Sequence, residues 1–124
     1  KGAYSKIPIK LAKLFIKKGS QKKDLIVAIG PSISKRSYEV KSDFIRKFMN
    51  KDKKNALFFN KKNKKIFFDL SKFIKLQLLN FGVKNIEVLS IDTFKRSNNF
   101  FSSRYSHVKK FNDYGRNISI IMIK

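Results

Sequence analysis

The run Asp24-Leu25-Ile26-Val27-Ala28-Ile29, closed by Gly30-Pro31, limits the folds open to this chain more than any other stretch. Apolar, β-branched residues in unbroken succession read as a strand buried on both faces. Pro31 pushes Gly30 out of helical geometry, so the chain must turn there. The turn is followed by Ser32-Ile33-Ser34 and then Ser37-Tyr38-Glu39-Val40. A Gly-Pro-Ser turn after a strand can present amides and hydroxyls to a ligand, although most such turns only reverse the chain. Two further strands are expected over Val83–Leu89, with Val83, Ile86 and Val88 apolar and Glu87 polar, and over Ile118–Ile123.

Helical spacing appears three times. Over Ser5–Lys18, Ile7, Leu11, Leu14 and Phe15 fall on one face and lysines 6, 10, 13, 17 and 18 on the other. Ser5 is placed to cap this helix, Pro8 fits its first turn, and Gly19 ends it. A basic amphipathic helix lying on a membrane or nucleic acid is the functional alternative to a packed one. Ser42–Met49 carries the stripe Phe44, Ile45, Phe48 with Ser42 as cap. Leu70–Asn80 carries Phe73, Ile74, Gln77 and Leu78, capped by Asp69 or Ser71 and ended by Gly82. Between them, Asn50–Lys65 reads as a helix end and a solvated loop, with Leu57, Phe58 and Phe59 set among lysines and asparagines. Ile66-Phe67-Phe68 reads as a short strand or an entry into the next helix.

A length of 124 residues suits one domain, and 42% hydrophobic content with thirteen Phe is enough for a core. The formal charge of +22 raises a nucleic-acid-binding module as one function class. Only five of the thirty basic residues are Arg, whereas specific base and phosphate forks favour Arg. Lys, Asn, Ile and Phe all have AT-rich codons, so compositional drift accounts for the charge as well as polyanion binding does. No cysteine is present, which excludes disulfides and thiolate metal sites within the chain. No apolar run approaches the ~20 residues that span a bilayer, and a cytoplasmic location with no membrane partner is expected.

Chemistry-bearing residues concentrate in Phe100-Phe101-Ser102-Ser103-Arg104-Tyr105-Ser106-His107 and in Asp113-Tyr114-Gly115-Arg116. A single histidine cannot build a catalytic zinc centre from this chain alone. His107 reads as a surface residue or a general base. Arg104 and Arg116 suit a phosphate or carboxylate, and Asp92 can pair with one of them.

Six motifs in register cover nearly the whole chain. They are Ala28-Ile29-Gly30-Pro31-Ser32-Ile33 with Tyr38-Glu39-Val40, Phe68-Asp69-Leu70, Gly82-Val83 with Ile86-Glu87, Asp92-Thr93, Phe100-Phe101-Ser102 with Arg104, and Asp113-Tyr114-Gly115-Arg116. Together they resemble the laccase-domain family, which includes purine nucleoside phosphorylases and peptidoglycan-editing factors. The resemblance implies an α+β fold, layered α/β/β/α, of which residues 1–124 would be a single domain truncated on its amino-terminal side. It implies zinc or copper held by two histidines and a cysteine upstream of this chain, where Lys1-Gly2 looks like the end of a ligand motif. It also implies phosphorolysis of adenosine and inosine, with adenosine deamination as a side activity, so purine nucleoside and phosphate are the expected partners. A missing amino-terminal half is a further expected partner. Arg104 and Arg116 would bind the anion, with Ser102 and Asp92 as supporting polar groups. Editing of cell-wall precursors by amide hydrolysis is the alternative within the family, and an inactive remnant or half of a split enzyme is the alternative outside catalysis. The sequence departs from the family pattern where Asp92-Thr93 replaces Cys-Thr and where Ser103-Arg104-Tyr105 replaces Tyr-Arg-Arg.

Overall fold

The computed structural model describes residues 2–121. Its helices and strands form an α+β fold with two separate sheets. In chain order the elements are α1 (Ile7–Lys17), β1 (Ile26–Ile29), β2 (Glu39–Val40), α2 (Ser42–Lys51), β3 (Phe59–Lys62), β4 (Lys65–Phe68), α3 (Leu70–Phe81), β5 (Asn85–Val88) and α4 (Ser103–Val108). Short 3₁₀ turns occupy Lys22–Asp24, Lys53–Phe58 and Arg96–Asn98. β1 pairs with β5 in parallel, and β2, β4 and β3 form an antiparallel sheet in that order.

The core is a phenylalanine cluster where the antiparallel sheet meets α2 and α3. Val40, Phe48, Phe58, Phe68 and Phe73 are buried there. Phe68 is its centre, 1% exposed, with ring centroids of Phe44, Phe48, Phe59 and Phe73 within 5.0–5.6 Å. Most of these pairs are tilted or edge-to-face, the arrangement that aromatic quadrupoles favour. Leu78 and Val83 bury a second, smaller contact between the end of α3 and the approach to β5.

α3 matches its sequence signals closely. Asp69 accepts a hydrogen bond from the Lys72 amide at 2.9 Å, and Gly82 adopts φ 104°, a left-handed stop that suits a residue without Cβ. The other helices depart from expectation at their starts. α1 begins after Lys6, which takes a left-handed conformation, rather than from a Ser5 cap. α2 begins after Lys41 with no side-chain cap, so Ser42 is its first helical residue. The expected packing stripe of α1 is not buried. Ile7, Leu11, Leu14 and Phe15 are each 51–55% exposed, and Ala12 is the residue that packs inward.

Asn50–Lys65 is more ordered than its composition indicates. The 3₁₀ turn buries Phe58, and Phe59–Lys62 pairs with Lys65–Phe68 as a hairpin. The expected strand over Ile118–Ile123 is not formed in its described part, 118–121, where Ile118, Ile120 and Ile121 are 79–86% exposed and pair with no strand. Met122 and Ile123 lie outside the described residues. Among the described residues one ion pair is found, Lys65 to Glu39 at 3.0 Å. No helix of the described residues is long and apolar enough to cross a membrane.

Candidate functional site

Parallel strands deliver their carboxyl ends to the same edge, and ligands of open parallel sheets gather there. β1 and β5 do this here. Beyond them, the Ser32 amide donates to the Ile91 carbonyl (3.1 Å) and the Thr93 amide to the Ser32 carbonyl (3.2 Å), which holds the Gly-Pro-Ser turn against the Asp-Thr loop.

Asp92 locks this junction. It is 7% exposed, and its Oδ1 accepts the amides of Ser34 (3.1 Å) and Phe94 (2.9 Å). Its Oδ2 accepts the hydroxyls of Ser34 and Ser37, both at 2.6 Å. Burial alone would push the carboxyl pKa up. The hydrogen bonds from the Ser34 and Ser37 side chains and the Phe94 and Ser34 amides outweigh it and hold the group below its ordinary value of 3.8. No arginine takes part, so the expected Asp92–arginine pairing gives way to a serine cluster that satisfies both oxygens.

A cavity of about 720 Å³ opens above the junction, bounded by Ile33, Thr93 and Tyr38 on one side and by α4 on the other. Ser102 starts α4 by accepting the Tyr105 amide at 3.2 Å, which aims Arg104 and His107 at the cavity. The Arg104 guanidinium lies 5.6 Å from the Tyr38 ring centroid, within cation–π range. Phe101, Phe111 and Tyr114 add aromatic surface. The site therefore joins one half-buried cation, several hydroxyls and flat apolar walls. Such a combination can hold an anionic group beside an aromatic ring.

Of the residues read from sequence, Ser102 and Arg104 line the cavity and Asp92 lies beneath its floor. Arg116 does not join them. It is exposed, stacks on Tyr114 at 4.1 Å from the ring centroid, and donates to the Tyr114 carbonyl. Its link to the cavity is through Tyr114, which lines the wall. Asn117 ties this segment to α4's approach by accepting the Phe101 amide (3.0 Å) and donating to the Phe101 carbonyl (2.7 Å). The clamp lays the Phe101 ring on Gly115, where an added Cβ would stand 2.5 Å from ring carbons. Thr93 and Tyr38 are wall residues that site reasoning from the sequence passed over. Their signal was position, immediately after the junction's two loops.

Metal donors are sparse. Among the described residues no three His, Cys, Asp or Glu side chains gather to hold an ion. Asp92 has its oxygens engaged by four donors, and His107, exposed on α4, belongs to no group of three such side chains among the described residues. The described side chains do not fit a two-histidine, one-cysteine centre.

Comparison with known proteins adds an independent line. A purine nucleoside phosphorylase of Rickettsia prowazekii is 34% identical over 125 residues, covering 99% of this chain and 51% of the relative. A purine nucleoside phosphorylase of Rickettsia conorii is 35% identical over 128 residues, covering 100% of this chain and 52% of the relative. The chain thus spans about half the length of the curated relatives it matches. The family described as multi-copper polyphenol oxidoreductase laccase matches over residues 1–124, the whole sequence. With its motifs in register from end to end, this chain belongs to that laccase family.

Proposed function

We propose that the protein supplies the nucleoside- and phosphate-binding part of a purine nucleoside phosphorylase. The observation that carries the reading is the cavity at the carboxyl ends of β1 and β5, where the Arg104 guanidinium stands beside aromatic walls. The names of the two rickettsial relatives support it. In phosphorolysis a phosphate oxygen attacks the anomeric carbon of the ribose. The glycosidic carbon–nitrogen bond breaks, its electron pair leaves with the base, and the base takes up a proton. Arg104 neutralises the attacking phosphate, and Ser102 and Ser103, which line the same cavity, orient it. Tyr38, Phe101 and Tyr114 offer stacking surfaces for the purine. Arg116 is the second cation of the reading, reaching the phosphate once it leaves the Tyr114 ring, and Asp92 acts through the loops that it ties together. Adenosine deamination and metal dependence belong to the same reading for the full-length domain. This chain lends the metal no ligand set, so the ligands come from the rest of that domain.

The test is inosine phosphorolysis by the chain joined to the remaining half of a family domain, with phosphate varied. Arg104→Ala and Arg116→Ala each remove a charge-assisted contact that contributes about 1.5–3 kcal/mol, equivalent to an increase in phosphate requirement of roughly 10- to 100-fold. An unchanged phosphate dependence in both variants refutes the assignment.

A further inference from the structure

Breaking the glycosidic bond of a purine nucleoside leaves an electron pair on the base, and a proton must reach the purine as it departs. Arg104, Ser102 and Ser103 serve the anion, and Tyr38, Phe101 and Tyr114 face the ring. The proton is left without a source. The cavity wall offers few. Among the described residues no carboxyl group bounds it. Its serine and threonine hydroxyls and the Asn112 amide give hydrogen bonds, and a guanidinium does not deprotonate in proteins. Of the side-chain types on this wall, histidine alone ordinarily changes charge between about pH 5 and 8. The chain has one histidine, and it is on this wall.

Its placement fits the task. His107 follows Arg104 by three residues on α4, so the two side chains leave one face of the helix as neighbours, about 5–6 Å apart between Cβ atoms. One nucleoside with its phosphate can touch both. The turn that carries them is tied at each end. The Ser102 hydroxyl accepts the Tyr105 amide at 3.2 Å, and beyond the helix the Phe111 amide donates to the Ser106 carbonyl at 2.9 Å and the Lys110 amide to the His107 carbonyl at 3.2 Å. Ser106, between the two, is buried. Arg104 stands against the Tyr38 ring, 5.6 Å from its centroid. A nucleoside whose phosphate lies at Arg104 carries its purine farther from that cation than its anomeric carbon, so the base reaches the next turn of α4. His107 is exposed there, and water can restore its proton after each turnover.

We propose that His107 is the general acid of the phosphorolysis and delivers its proton to N7 of the leaving purine. The inference rests on the phosphorylase reading above. A bond forms between a phosphate oxygen and the anomeric carbon as the bond from that carbon to N9 breaks. The electron pair of the broken bond enters the purine ring system, N7 takes the imidazolium proton, and the base leaves neutral. A proton from solvent returns the imidazole to its charged form.

The experiment compares the parent with His107→Gln, each joined to the remaining half of a family domain, on inosine and on 7-methylinosine. The second nucleoside already carries a methyl group on N7, so its base leaves without a proton. On inosine, kcat should fall by about 10²- to 10⁴-fold, the usual contribution of a general acid. On 7-methylinosine it should change by less than about threefold, since that substrate asks for no acid. KM for phosphate should hold within about twofold on both, which separates His107 from Arg104. Because His107 is exposed, the variant should melt with the parent. As a second measurement, hypoxanthine should shift the ring C–H resonances of His107, identified by their absence from the His107→Gln spectrum. Resonances that stay in place at hypoxanthine concentrations that inhibit the reaction overturn the contact. An equal loss on the two nucleosides overturns the proposal, since it would make His107 a positioning residue. So does an undiminished kcat on inosine, which would put the proton donor elsewhere. A parent that cleaves neither nucleoside overturns the phosphorylase reading itself, and the role of His107 falls with it.

Discussion

Replacing Asp92 separates two ways in which a buried carboxylate can hold loops together. Its Oδ1 serves two backbone amides and its Oδ2 serves two serine hydroxyls. Asp92→Ala strands all four donors. The hydroxyls of Ser34 and Ser37 are 3.4 Å apart and can rotate to satisfy each other, but the amides of Ser34 and Phe94 have no such freedom. At about 1–3 kcal/mol for each unsatisfied buried group, the expected loss is about 3 kcal/mol. In a chain of this size that corresponds to a fall in melting temperature of roughly 10–20 °C. Asp92→Asn keeps an oxygen at the Oδ1 position for both amides, and its NH₂ can donate to rotated serine hydroxyls. Its cost should be about 1 kcal/mol. Urea unfolding of the three proteins at neutral pH provides the numbers. Equal losses for Ala and Asn would show that charge, and not amide satisfaction, carries the junction. The sign with pH follows from the depressed pKa. The carboxylate's contribution is complete above its ordinary value of 3.8 and disappears as pH falls through the lower folded value. Asn does not titrate, so the stability gap between parent and Asp92→Asn should be constant above about pH 5 and close below about pH 4.

Other expectations concern the frame around the site. Lys64 holds φ 61° beside Asn63 at φ 49° in the two-residue turn between β3 and β4, where glycine is favoured at the second position; Lys64→Gly should raise stability by about 1 kcal/mol in thermal melts. Phe68→Ala removes the ring at the centre of the aromatic cluster and should cost about 3–5 kcal/mol by urea unfolding. Gly115→Ala should drive the Phe101 ring off its seat, because the new Cβ would stand 2.5 Å from ring carbons. Phe101 is 59% exposed and free to swing, so the melting temperature should move by less than about 5 °C while the Phe101 ring resonances shift in NMR spectra. Unmoved ring resonances would contradict the contact.

Where one physical signal dominated, the sequence was readable. α3 has apolar spacing, an Asp cap and a Gly stop that agree with one another, and its observed bounds differ from expectation by one residue. β1 and β5 were legible as strands, but β1 was expected to be buried on both faces and buries one only, since Ile26 and Ala28 are exposed. The β3–β4 hairpin was not, because Lys61, Lys62, Lys64 and Lys65 hide a short apolar segment whose partner strand supplies the ordering. α1 was right as a helix and wrong as a packed face, since spacing reveals that a stripe exists but not what covers it. At the site, Arg104 was legible as a cation and Ser102 as a supporting polar group of the same motif, whereas the short helix that Ser102 caps was not expected. Arg116 was grouped with them by proximity in sequence, which cannot show that Tyr114 would hold its guanidinium aside. Asp92 was singled out by type and by its place in the Asp92-Thr93 motif; its serine partners lie 55 and 58 positions away, beyond any local pattern.

That the described residues hold a single ion pair, Lys65 to Glu39, has a consequence for how the protein meets its solvent. With thirty basic side chains and eight acidic ones, most lysines have like charges for neighbours, and folding draws them together. The compact form works against its own electric field. Dissolved salt relaxes that field over a Debye length of about 10 Å at 0.1 M. Ordinary ionic strength thus acts on this surface as a diffuse counter-charge. Dilute buffer is the harsher environment for the fold, and every multivalent anion in solution is a potential stabiliser before any specific site is filled.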